Sequence, residues 1–139
     1  MFNYLIKIEY EGTNFVGWQS QKNGKSIQDS IEKALKKVLG SKIKIIGAGR
    51  TDKGVHAYSQ VANFKVKKKI VNKKIFLDSI NFFLKDKLIS ILDVIKQKKN
   101  FHARFSAKLR TYEYLIINRQ GTLSINNNRA WHVKKEIDL

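Results

Sequence analysis

Arg50, Asp52, Lys53 and His56 crowd into the short stretch Gly47–Ala57, which also holds Gly49 and Gly54. An apolar, β-branched run with Ile43, Ile45 and Ile46 precedes it, and an alternating run ending in Val61, Asn63 and Phe64 follows. The charged residues therefore sit in a loop between two expected strands. Glycines let such a loop turn sharply and bring its backbone close to a ligand. An arginine two residues from an aspartate keeps the carboxylate ionised and offers a fork to phosphate. Charged, glycine-flanked loops on a rigid sheet are a usual place for catalytic residues. A tight connection carrying a solvated salt bridge is the plainer reading of the same residues.

Two nucleotide-binding motifs are excluded. A dinucleotide fingerprint has its third glycine at a fixed spacing and opens a helix, whereas Gly54 is displaced and a strand pattern follows. A phosphate-binding P-loop needs Gly-Lys-Ser/Thr, and Lys53-Gly54-Val55 has the order reversed. The chain has no cysteine, which removes disulfides and thiolate metal sites. Its histidines, His56, His102 and His132, are too dispersed for the usual zinc spacing, so no metal is expected.

The net charge of +17 points to a polyanionic partner, of which nucleic acid is the common case. A genome biased towards A and T also inflates lysine, and the absence of proline fits such a bias, so the lysines carry both meanings. The arginines at 50, 104, 110, 119 and 129 are more selective. No apolar run is long enough to span a bilayer and no signal-peptide pattern opens the chain, so a cytoplasmic protein with no membrane association is expected.

The elements that must position these groups follow from periodicity. Phe2–Tyr10 reads as a strand, and residues 11–25 as a polar, glycine-punctuated loop. Ser26 caps a helix with Asp29 three residues on, Ile27, Ile31, Ala34, Leu35, Val38 and Leu39 form its apolar stripe, and Gly40 ends it. Lys33, Lys36 and Lys37 then face water or a polyanion. Strands are expected at 42–48 and 58–66, and a second helix from Asn72 with Ile75, Phe76, Ile80, Phe83 and Leu84 on one side. A strand at 88–95 completes the order β-α-β-β-α-β of a ferredoxin-like split unit. An α+β domain follows, an antiparallel sheet with helices on one face. A further strand is expected at 109–117, with Tyr112, Tyr114 and Ile116 on one face. Trp131–Val133 reads as a short strand and Glu136–Leu139 as the first turn of a helix.

Several blocks resemble the tRNA pseudouridine synthase A family. They are Tyr10-Glu11-Gly12-Thr13-Asn14-Phe15-Val16-Gly17-Trp18-Gln19, Ser26-Ile27-Gln28 with its helix, the Gly47–Ala57 loop, and Phe101–Ala107 with Arg110–Tyr114. They stand in the family's order and span nearly the whole chain. The resemblance implies a ferredoxin-like or RRM-like sheet as the N-terminal half of a pseudouridine synthase fold. It also implies isomerisation of uridine to pseudouridine in the tRNA anticodon stem-loop, at family positions 38, 39 and 40. An isomerisation needs no redox cofactor, metal or nucleotide. Family members act as homodimers, so a homodimer on the anticodon arm is expected.

By the resemblance, Asp52 is the catalytic carboxylate, attacking ribose C1′ or taking a proton from C2′. Arg50 then contacts phosphate and holds the place of the displaced base, or forms a structural ion pair with Asp52. Tyr112 matches the tyrosine that stacks on the extruded base; without the motif it would read as a core aromatic, as Tyr114 does. Arg104 contacts RNA backbone or pairs with an acidic group, and Lys53 meets phosphate. His56 is a loop-stabilising hydrogen bonder, and Trp18 packs beneath the loop. Relatives in the family are about twice as long, so residues 1–139 read as one N-terminal catalytic-loop domain without the C-terminal half. The alternative function is a non-catalytic tRNA-binding remnant of a synthase.

Overall fold

The computed structural model describes residues 1–139 in two compact units, Met1–Lys108 and Leu109–Leu139. In the first, the elements run β1 (Phe2–Tyr10), α1 (Ile27–Leu39), β2 (Ile45–Gly47), β3 (Ala57–Val66), α2 (Lys73–Leu84), β4 (Ile89–Gln97) and the short α3 (Ala103–Ser106). The sheet order is β2-β3-β1-β4 with every neighbouring pair antiparallel, the arrangement of a ferredoxin-like unit. The α+β expectation holds.

Alternation along the strands decides the faces. Tyr4, Ile6, Ile8 and Tyr10 of β1 join Ala62, Phe64 and Val66 of β3 in one core. Ile27, Ile31, Ala34 and Leu35 of α1 and Phe76, Ile80 and Leu84 of α2 close that core from the same side. The opposite face carries exposed Lys7, Glu9 and Lys65, but also the buried Asn3 and Asn63. Buried amides must find partners. Asn63 donates to Asn3 Oδ1 at 3.0 Å and accepts from the Ala103 N–H at 2.8 Å, while Asn3 donates to the carbonyls of Lys98 and Phe101. The pair thus pins residues 98–103 to that face.

Ser26 caps α1 as expected, its Oγ accepting from the Asp29 N–H at 3.0 Å. The reciprocal bond is a variant of the capping box, because the Ser26 hydroxyl, not its backbone N–H, donates to Asp29. Gly40 closes the helix at φ 73°. Helix side chains also finish both sheet edges. Glu32 accepts from the Ile45 N–H and Gln28 donates to the Ile45 carbonyl on β2. Asn81 does both for Ile91 on β4. No helix is long and apolar enough to cross a membrane.

The second unit departs most from the sequence reading. Residues 107–115 form no strand; β5 is only Ile116–Asn118 and pairs in parallel with β6 (Trp131–Val133). Alternation at Tyr112 and Tyr114 needs a neighbouring strand and an apolar layer to become a half-buried strand, and only from Ile116 onward does a neighbour pair. Tyr114, expected in a core, is 90% exposed. Glu136–Leu139 forms no helical turn, since so few residues close too few backbone bonds to nucleate one. The expected strand at 42–48 is reduced to Ile45–Gly47, and the turn of helix at Ala103–Ser106 has no periodic signal.

Candidate functional site

The loop between β2 and β3 is fixed by its ends first. Ala48 N–H donates to the Val61 carbonyl at 2.7 Å, and the Gln60 amide donates to the Gly49 carbonyl at 2.9 Å. At its tip the Val55 N–H donates to the Asp52 carbonyl across a turn whose third residue, Gly54, has φ 80°. Only glycine takes that conformation without cost. Asp52 and Lys53 occupy the first two positions of this turn and are exposed, as is Arg50. No ion pair joins Arg50 to Asp52, so the structural pairing open to the sequence is not formed. Both charged heads face solvent and are available to a ligand.

Beneath the turn lies the segment that follows β1. A Cβ on Gly12 would stand 2.0 Å from the Val55 carbonyl oxygen, and one on Gly17 2.6 Å from the Thr51 oxygen. Backbone therefore packs directly on backbone on either side of Asp52. Gly17 also has φ 116°, a second reason for glycine there. The Trp18 N–H donates to the Thr51 carbonyl at 3.0 Å, and the buried Trp18 indole lies against Gly47. The Tyr10 hydroxyl meets Thr51 Oγ1 at 2.7 Å. His56 Nδ1 accepts the Gly12 N–H at 2.8 Å and lies 3.1 Å from the Glu11 carboxylate, tying both segments together.

The same segment holds the start of α1. Gly17 and Trp18 carbonyls accept from the Ile27 and Gln28 N–H groups. These are donors that a helix start otherwise leaves unpaired. A rigid chain of bonds thus runs from helix α1 through Gly17 and Trp18 to the residue before Asp52. That arrangement holds an exposed carboxylate on a platform that does not need to reorganise.

Arg50, Asp52 and Lys53 come together in this one loop. Arg104 lies on α3, exposed, with its guanidinium 5.8 Å from the Phe105 ring centre. His102 caps that turn and stacks on Phe105 at 4.3 Å between ring centres. Tyr112 belongs to the second unit and is 59% exposed. Sequence reasoning assigned Gly12 and Gly17 no task, although both lie in the Tyr10–Gln19 block. Two glycines among aromatics in a loop beside a strand end were the available signal. No cluster of His, Cys, Asp and Glu capable of holding a metal ion is present.

Comparison with known proteins places this geometry. A family profile described as tRNA pseudouridine synthase matches residues 6–106, which include the platform, the loop and α3. The tRNA pseudouridine synthase A of Pelagibacter ubique is 52% identical over 139 residues, covering 100% of this chain and 56% of the relative. Its counterparts from Caldicellulosiruptor saccharolyticus and a Thermoanaerobacter strain are 46% and 42% identical, again over 100% of this chain and 56% of theirs. The chain spans somewhat over half the length of these curated relatives. With its loop, its platform and the match over residues 6–106 in agreement, the chain belongs to the tRNA pseudouridine synthase family.

Proposed function

We propose that this chain supplies the catalytic half of a tRNA pseudouridine synthase, isomerising uridine in the anticodon stem-loop through Asp52. The observation that carries the reading is the exposed Asp52 at the tip of a turn clamped on both sides by glycine backbone. Unstacking the nucleotide costs a few kcal/mol, and a loop whose backbone is already fixed presents its carboxylate to the extruded base without further ordering of the chain. The open carboxylate serves equally as nucleophile towards C1′ or as base towards C2′. In either route the bond from uracil N1 to ribose C1′ breaks, the base turns and C5 bonds to C1′; C5 then gives up its proton and N1 gains one, so no cofactor enters the balance.

Arg50 and Lys53 flank Asp52 with exposed cations suited to the phosphates beside the target nucleotide. Arg104 contacts RNA backbone, and Tyr112 stacks on the extruded base. Residues 1–139 belong to one synthase domain, working in the cytoplasm as part of a homodimer on the anticodon arm. The charge of +17 supports a polyanionic substrate for this assembly.

The test is tritium release from C5-labelled uridine in tRNA transcripts, comparing wild type with Asp52→Ala. Release by wild type alone establishes the isomerisation and its carboxylate. A second reading, non-catalytic tRNA binding, draws on the irregular, exposed segment that carries Tyr112. It requires that neither protein release tritium while both still bind tRNA.

A further inference from the structure

The sheet has a second cationic end. β1 runs nine residues, about 30 Å, from Tyr10 beside Thr51 to Phe2. At the Phe2 end, Val66 of β3 pairs with Phe2 and Gln97 of β4 pairs with Asn3, so the two strands that flank β1 finish together, about 10 Å apart. Each is followed at once by lysines: Lys67, Lys68 and Lys69 after β3, and Lys98 and Lys99 after β4, with Lys96 just before. All six are exposed. No acidic residue occurs in 65–77 or in 94–112.

These lysines are held in place. The Ile70 N–H donates to the Tyr4 hydroxyl at 3.0 Å, and the half-buried Ile70 packs on the core, closing the Lys67–Lys69 connection at both ends. The buried Asn3 amide binds the Lys98 and Phe101 carbonyls, and the Phe101 N–H closes the Lys98–Phe101 turn at 3.1 Å. Neighbouring residues of β1, on opposite faces of the sheet, therefore each pin one lysine-bearing turn. Beside the ends of β1 and β4 a shallow hollow of about 250 Å³ is lined by Phe2, Asn3, Lys96 and Lys99.

We infer that this end of the sheet is a second RNA-backbone contact, taking the phosphates of a duplex segment remote from the nucleotide at Asp52. The inference rests on the reading of the partner as tRNA. Its role is to prefer an extended, folded RNA over a free hairpin, because phosphate contacts set register and orientation without reading sequence.

The experiment measures binding of whole tRNA, and of its isolated anticodon hairpin, across a salt series. It compares wild type with Lys67→Gln/Lys68→Gln/Lys69→Gln and with Lys98→Gln/Lys99→Gln. For the triple variant, whole-tRNA affinity falls about tenfold or more at low salt, and the slope of log K against log salt drops by about 2 to 3. The double variant loses less, in the same direction. Hairpin affinity stays within about twofold of wild type, because the hairpin lacks the remote duplex that this end contacts. Equal losses for both RNAs mark a general charge effect and overturn the inference, as does unchanged binding of whole tRNA. A wild-type chain that binds neither RNA overturns the functional reading instead.

Discussion

Trp18 fills the space that any side chain at position 47 would need: its Nε1 is 2.6 Å from where a Cβ on Gly47 would lie. Gly47→Ala therefore pushes a buried indole or the β2 backbone out of place, at about 1–3 kcal/mol. Trp18→Phe vacates part of that volume. In a double-mutant cycle followed by urea unfolding, the combined variant is more stable than the sum of the two single losses predicts. Strict additivity would show that the contact does not limit packing there.

Gly17→Ala acts on the loop that carries Asp52. The added methyl meets the Thr51 oxygen, and φ 116° is strained for any other residue. Turnover falls at least tenfold, while whole-tRNA affinity, set largely by phosphate contacts, changes less than threefold. Tritium release and filter binding on the same preparation separate the two.

Asp52→Asn removes a charge with no ion-pair partner, and exposed substitutions of that kind stay within about 0.5 kcal/mol. The variant is expected to melt with the wild type. A marked fall in Tm would show that the carboxylate supports the fold.

Asn63→Leu strands the Ala103 N–H and the Asn3 Oδ1 at once. Unpaired buried groups cost about 1–3 kcal/mol each. Residues 102–106 then loosen from the sheet, and limited trypsin digestion cuts at Arg104 much faster than in the wild type. Retained protection there would show that other contacts hold the segment.

The Asp93 carboxyl is held below the usual carboxylate range, chiefly by its hydrogen bond from Lys73 and also by the Val94 N–H and the charge of Lys7, with burial opposing. A depressed folded pKa contributes stability above the unfolded value of about 3.9, and that contribution is lost as pH falls through the folded pKa. The Tm gap between wild type and Asp93→Asn is therefore present at pH 6 and closes below about pH 4. A gap of constant size would point to lost packing instead of lost charge.

Where periodicity and burial coincide, the sequence is readable: β1, α1, α2 and β4 each place an apolar stripe in the one core. Ser26 and Gly40 mark the limits of α1 through local chemistry alone. Elements made by distant partners are another matter. Ala103–Ser106 is capped locally by His102 but held to the sheet by Asn63, forty residues away, which accepts the Ala103 N–H, and no local pattern encodes that tie. Residues 109–115 alternate convincingly, yet a strand also needs a neighbour. The loop around Asp52 was legible by residue type, whereas its support by Gly12 and Gly17 depended on which backbones touch.

The amides of Gln28 and Asn81 and the carboxylate of Glu32 behave towards the sheet as a missing strand would. An incoming chain meets Ile45 and Ile91 with their hydrogen bonds already spoken for. Growth from either border must first peel a helix residue away. A molecule with exposed phenylalanines and tyrosines is thereby guarded against fibril-like stacking at these two borders.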